Sequence, residues 1–242
     1  MEAAHPSPLH SFPLRSGSTD QFRVPWKTFV KVVLALTVEA YQRMRQDSVA
    51  CQDWEEDTFT IRLTEDYIQP LARQHPLNLV VMPRTRVHTP EMKTGAVSPK
   101  KAPEIDIRLF SSWEKDYHRV YFAWECKRVG DKRVDNKYAF LIREYVTEGI
   151  FRFLDGEYAS EVDDSGMLGY VLAGNVANIV DGINQSMVHP RRVRRLSPSD
   201  HLVPGPAIGA FTDAYQSRHK RVVHQRIIRL HHLFLTFDFE AQ

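Results

Sequence analysis

Pro103-Glu104-Ile105-Asp106-Ile107-Arg108-Leu109 and, after a polar interval, Val120-Tyr121-Phe122-Ala123-Trp124-Glu125-Cys126-Lys127 are the stretches on which the reading of this chain turns. Successive side chains of a strand point to opposite faces, so Glu125 and Lys127 share one face with Tyr121 and Ala123. Val120, Phe122, Trp124 and Cys126 take the other face, which is apolar throughout and reads as core. The first stretch divides in the same way, with Ile105, Ile107 and Leu109 on one side and Glu104, Asp106 and Arg108 on the other. Between them Ser111-Ser112-Trp113-Glu114-Lys115-Asp116-Tyr117-His118 is polar enough to turn the chain back. The expectation is a hairpin with Asp106 and Glu125 side by side.

Hard divalent cations prefer carboxylate oxygens and are usually held by one or two protein carboxylates plus substrate phosphate. Asp106 and Glu125 supply such a pair. Lys127, on the face of Glu125, falls where an ammonium can orient a metal-bound water or offset charge on a phosphorane. An isolated E-x-K also occurs on the solvent face of ordinary hairpins. Here Pro103 enters the first strand, Asp106 falls on the matching face, and helical patterns flank the pair.

On these residues the chain resembles the PD-(D/E)xK nuclease superfamily, over roughly residues 54–172. The resemblance implies an α/β fold with a restriction-endonuclease-like core, ordered α-β-β-β-α-β, in which helices flank a central mixed sheet. It implies that Asp106 and Glu125 bind Mg²⁺ or Mn²⁺, with the Cys126 carbonyl as a further ligand. Lys127 would then assist hydrolysis, and an acid on the first helix would complete the site. Related prokaryotic branches serve restriction or anti-phage defence, commonly beside a helicase, ATPase or sensor subunit. One departure is visible: Glu104 and Ile105 separate Pro103 from Asp106, so the literal PD pair is absent.

The first-helix acid can be sought in Trp54-Glu55-Glu56-Asp57-Thr58-Phe59-Thr60-Ile61-Arg62-Leu63, where Phe59, Leu63, Ile68 and Leu71 recur at near-helical spacing. Acids at the start suit a helix N-terminus, whose partial positive charge they complement. Glu56 matches the acid-bearing helix of several superfamily branches and is assigned to the site. Glu55 is its substitute, and Glu39, on an added N-terminal helix, is a third candidate.

The formal charge of +2 across 242 residues supplies no global field toward nucleic acid, while 43% hydrophobic content suffices for a core. Locally the balance differs. Between Gln185 and His232, Arg191, Arg192, Arg194, Arg195, Arg218, Lys220, Arg221, Arg226 and Arg229 face only Asp200 and Asp213. Beside a nuclease-like core, the first seven of these basic residues are candidate phosphate contacts; a solvated loop or a charged partner subunit accounts for them equally. Cys51 and Cys126 suggest neither a disulfide framework nor a zinc site. The eleven histidines, His219, His224, His231 and His232 among them, match no zinc spacing, and His231 and His232 should point to opposite faces.

Residues 1–24, rich in proline and serine, read as a flexible arm without a signal-peptide core, and residues 25–242 as one domain. The apolar run 29–44 is too short and too charged to span a bilayer and reads as a helix packed on the core. A first core strand is expected at 77–82, followed by a basic loop at 83–102. Tyr138, Leu141, Ile142, Tyr145, Val146, Ile150 and Phe153 mark a helix behind the sheet, from which Tyr145 and Arg152 are supporting candidates for the site. A buried strand at 166–174, a helix capped by Asn175, a basic loop at 188–208 and an added C-terminal strand at 226–237 complete the reading.

The expected protein is a cytoplasmic Mg²⁺-dependent endonuclease acting on DNA, with no membrane association and with self-association open. The alternatives are a non-catalytic nucleic-acid-binding or scaffolding subunit, and an RNase.

Overall fold

The structure, a computed structural model, describes residues 25–88, 90–189, 196–222 and 225–239. Helix α1 (Trp26–Gln46) carries Phe29, Val30, Val33, Leu34, Thr37, Tyr41 and Met44 on its buried stripe. Their three- and four-residue spacing is that of one helix face. A second helical run begins as α2 (Glu56–Ile61), loosens into a π-helical stretch at Arg62–Ile68, and ends as α3 (Gln69–Gln74). The strands are β1 (Leu79–Arg86), β2 (Glu104–Ser111), β3 (Phe122–Val129), β4 (Asp164–Val171), β5 (Val203–Pro204), β6 (Ala214–Lys220) and β7 (Ile227–Thr236). A short α4 (Pro90–Lys93) lies between β1 and β2.

All of them join one seven-stranded sheet in the order β1-β2-β3-β4-β7-β6-β5. β1, β2 and β3 are antiparallel; β3, β4 and β7 run parallel; β6 and β5 return antiparallel. The parallel centre needs cover on both faces. Helices α1, α2 and α3 pack over Phe122, Trp124, Cys126, Leu168, Tyr170 and Leu233. On the other face lie α5 (Tyr138–Glu144), a second π-helical stretch (Tyr145–Ile150), α6 (Phe151–Leu154) and α7 (Val176–Met187), over Ala123, Met167, Val171, Leu230 and Phe234. As expected, the protein is α/β, with a mixed sheet between helices. No described helix is long and apolar enough to cross a membrane.

Several expectations need correction. Only one face of β3 was read as core, yet Tyr121, Ala123 and Glu125 are buried too, because α5 and α6 cover them. The first strand continues through Pro83, which an edge strand tolerates because one side of its backbone has no ladder to feed. Ile105 packs in the α5–α7 layer, away from Ile107 and Leu109, at the point where neighbouring β1 carries Arg84 with φ of 46°. Strand β6 was not anticipated, and β7 is no edge addition: it sits between β4 and β6.

Local signals held where they depend on the chain alone. The Asn175 side chain accepts the Ala177 N–H at 2.8 Å, capping α7. His231 and His232 do part: His231 Nε2 meets Asp164 Oδ1 at 3.0 Å, while His232 Nδ1 meets the Tyr145 hydroxyl at 2.9 Å and its Nε2 meets Ser217 Oγ at 2.7 Å.

Gly166, directly across from Trp124 in the β3–β4 ladder, is where packing is tightest. A Cβ there would overlap the Trp124 ring and stand 2.9 Å from the His231 carbonyl oxygen. Trp124 is fully buried and has nowhere to retreat. Gly166→Ala is therefore expected to destabilise the fold by about 1–3 kcal/mol, the usual range for overpacking. A urea melt checks it; an unchanged midpoint would mean that the two strands can separate without loss.

Candidate active site

The hairpin register pairs Leu109 with Phe122, Arg108 with Ala123 and Ile107 with Trp124, and the ladder stops there. Continued by one residue, the register sets Asp106 against Glu125, as the alternation predicted. Instead of a backbone partner, the Cys126 N–H finds the Asp106 carboxylate, donating to Oδ2 at 2.7 Å. The two strands thus fork at the acids, held by a side chain where a ladder bond would be.

Lys127 Nζ fills the fork. It lies 3.0 Å from Glu125 Oε1 and donates to Glu56 Oε1 and to the Cys126 carbonyl, both at 2.8 Å. Glu56 is the first residue of α2, and its other oxygen accepts the Arg128 N–H at 3.2 Å. Of the three first-helix candidates, Glu56 is therefore the one that reaches Lys127. Glu55 turns to Arg128 at 3.1 Å, and Glu39 pairs with Arg43 on the exposed side of α1 at 2.6 Å. Arg84 ties the assembly from the edge strand, pairing with Asp57 and, at 2.7 Å, with Glu104.

Burial sets the electrostatics. Glu125 is 2% exposed, and desolvation together with the neighbouring Asp106 charge pushes its pKa up to about 8, against the pull of Lys127 and Arg152. Asp106 is raised to about 6 by burial, with Lys127 and the Cys126 N–H opposing. Burial works against the Lys127 charge, but Glu125, Glu56 and Asp106 outweigh it and raise its pKa. Lys127 is an ammonium at any working pH.

The donor set suits a hard cation. All the free groups are carboxylate oxygens, and Glu125 Oε2 is buried with no hydrogen-bond partner among the described residues. No three His, Cys, Asp or Glu side chains among the described residues form a ready-made metal cage, since Glu56 is turned to Lys127 and Arg128. The Cys126 carbonyl, expected as a ligand, already accepts from Lys127.

The remaining expectations divide. Arg152 borders the site, with Nη1 3.8 Å from Glu125 Oε1 and donating to the Tyr158 hydroxyl at 2.6 Å. Tyr158 in turn donates to the Glu104 carbonyl at 2.8 Å, a link that no local pattern in the sequence announces. Glu144, on the polar face of α5, is raised by burial and by the nearby Glu56 charge. Tyr145 is a correction: it is buried against His232 and Phe234 and gives its hydroxyl to His232.

Of the candidate phosphate contacts, Arg191, Arg192, Arg194 and Arg195 lie outside the described residues. Arg221 is a second correction. It is fully buried and donates to the Ser160 and Ala159 carbonyls at 3.1 and 2.6 Å, so it has no surface to offer a phosphate. Arg218 and Lys220 are exposed on β6, on the face away from Ser217 and His219. They stand three strand spacings, about 14 Å, from β3, so neither borders the fork at Asp106 and Glu125. No protein-family model matches this chain, and comparison with curated proteins and with solved structures gives no match either.

Proposed function

We propose that the chain is a metal-dependent phosphodiesterase with a restriction-endonuclease-like core, cleaving DNA. The observation that carries this reading is the forked β2–β3 pair, in which Asp106 and Glu125 flank a Lys127 ammonium shared with Glu56. The order of α2, β1, β2, β3, α5 and β4 supports it, since it follows the α-β-β-β-α-β pattern of the superfamily that the motif resembles.

Asp106 and Glu125 would hold Mg²⁺ or Mn²⁺, with Glu56 near enough to contribute once released from Lys127. When bound, the ion supplies Lewis-acid polarisation of a phosphate oxygen and a water acidic enough to attack at neutral pH. The chain's own residues do the rest. Lys127 has too high a pKa to take a proton, so it donates: it orients the attacking water and offsets charge growing on the phosphate. Arg152, braced by Tyr158 and Glu148, adds a fixed positive charge beside Glu125. The defence or restriction setting, the intracellular location and a helicase, ATPase or sensor partner remain part of the same proposal, resting on the resemblance.

The test is incubation of purified protein with circular, linear and single-stranded DNA and with matched RNA, with and without Mg²⁺ or Mn²⁺. Cleavage of DNA that requires the ion and disappears in Asp106→Ala is the expected result. No cleavage, together with ion binding indifferent to Asp106, would leave a binding or scaffolding subunit and end the enzymatic reading. Preferential loss of RNA would reassign the substrate.

A further inference from the structure

Beside the fork a cleft of about 860 Å³ opens between the 88–103 segment, the start of β2 and the turn after α6. Its wall is shared with the acidic site. Glu104 stands two residues before Asp106, and Arg152 lies 3.8 Å from Glu125. Its acids are largely neutralised within the fold: Glu104 by Arg84 and Arg86 at 2.7 and 3.5 Å, and Glu157 by Arg152 at 4.0 Å. Its cations are not. Lys93, Lys101 and Arg119 are exposed and make no ion pair among the described residues, against a single remaining acid, Glu161. Aromatic surface lies beside them, in the ring of His118 and in Tyr121, whose hydroxyl is fixed by the Ala159 N–H at 3.0 Å.

Size decides what such a cleft holds. Pockets for one small molecule measure about 300–1,000 Å³, whereas even a single duplex-binding module spreads over roughly 600–1,000 Å² of surface. Concavity, unpaired cations and ring faces together are what an unstacked nucleotide requires, its phosphate meeting the cations and its base the rings.

We infer that this cleft takes one unpaired nucleotide of the substrate strand adjacent to the bond being cut, with its phosphate against Lys93, Lys101 and Arg119. The inference rests on the phosphodiesterase reading for its placement, and it makes the preferred substrate single-stranded or frayed DNA.

Binding measured in EDTA separates this inference from cleavage. Calorimetry with thymidine 5′-monophosphate should give a stronger association than with thymidine, by about tenfold for the added phosphate contacts. By fluorescence anisotropy, Lys101→Ala/Arg119→Ala should weaken a labelled oligothymidylate more than a duplex of equal length. The same variant should make the log–log salt dependence shallower by about 1.4, for two phosphate contacts at about 0.7 each. Both side chains are exposed, and a thermal melt confirms that the variant folds. Equal binding of nucleoside and nucleotide, with oligothymidylate affinity unmoved by the double substitution, would overturn the inference even if the protein cleaves DNA. The expected binding pattern without cleavage at any divalent ion would sink the enzymatic reading and leave the nucleotide cleft standing.

Discussion

Lys127→Met is expected to lower DNA cleavage by at least about 10²–10³-fold, the loss that follows removal of one preorganised donor to a developing anion, while the protein stays folded. The second half of that expectation needs argument, because removing one partner of a buried ion pair commonly destabilises by several kcal/mol. Here the penalty is limited. Glu125, with its pKa already at about 8, carries a proton at neutral pH in the metal-free protein, so no buried anion is stranded when the ammonium goes. Glu56 is about one-third exposed and can return to water. Methionine fills the volume of the lysine stem. Quantifying product from a fluorescent duplex in Mg²⁺, with circular dichroism melting as control, checks both halves. Undiminished cleavage by the variant would remove Lys127 from the chemistry.

Glu125→Gln is expected to abolish cleavage and, in metal-free buffer, to make the protein more stable at pH 8 than the wild type. Glu125 has a folded pKa of about 8 against an ordinary value of 4.5. Between those values the folded state holds a proton that the unfolded state has lost, so wild-type stability is fully present below about 4.5 and falls as pH rises toward 8. Asp106 adds a smaller fall between 3.8 and about 6. Each unit of differential protonation is worth about 1.4 kcal/mol, which makes the Glu125 contribution on the order of a few kcal/mol after the opposing pull of Lys127 and Arg152. Glutamine mimics the protonated acid and cannot lose the proton. The two melting curves should therefore converge near pH 5 and separate by pH 8.

Mg²⁺ completes the argument. It must displace the Glu125 proton, so the thermal shift it gives the wild type should grow from pH 6 to pH 8 and be nearly absent in the glutamine variant. Parallel stability–pH curves for the two proteins would show that Glu125 ionises normally, and the buried-acid account would fall with them.

These effects trace to different layers of information. That Asp106, Glu125 and Lys127 share a face follows from the two-residue period of a strand, a local property of the backbone that needs no fold. The same period parted His231 from His232, the three-to-four spacing marked α1, and Asn175 announced its helix. Each of these is decided within about ten residues of chain. Where a segment lands on another segment is not. Glu39, Glu55 and Glu56 are equally plausible acids until α2 is docked on β3 and only Glu56 meets Lys127 at 2.8 Å. Arg221 reads as a surface cation until the 159–160 turn closes over it with two carbonyls. Tyr145 belongs to a face that could serve the site until His232, from a strand 87 residues later, takes its hydroxyl. The burial that lifts Glu125 toward pH 8 likewise arises only when α5 and α6 cover the second face of β3. The sequence by itself determined which charges lie together on the strands. Tertiary packing decided which of them are desolvated, paired or left without a partner, because desolvation and long-range pairing are properties of what surrounds a residue and not of its neighbours in the chain.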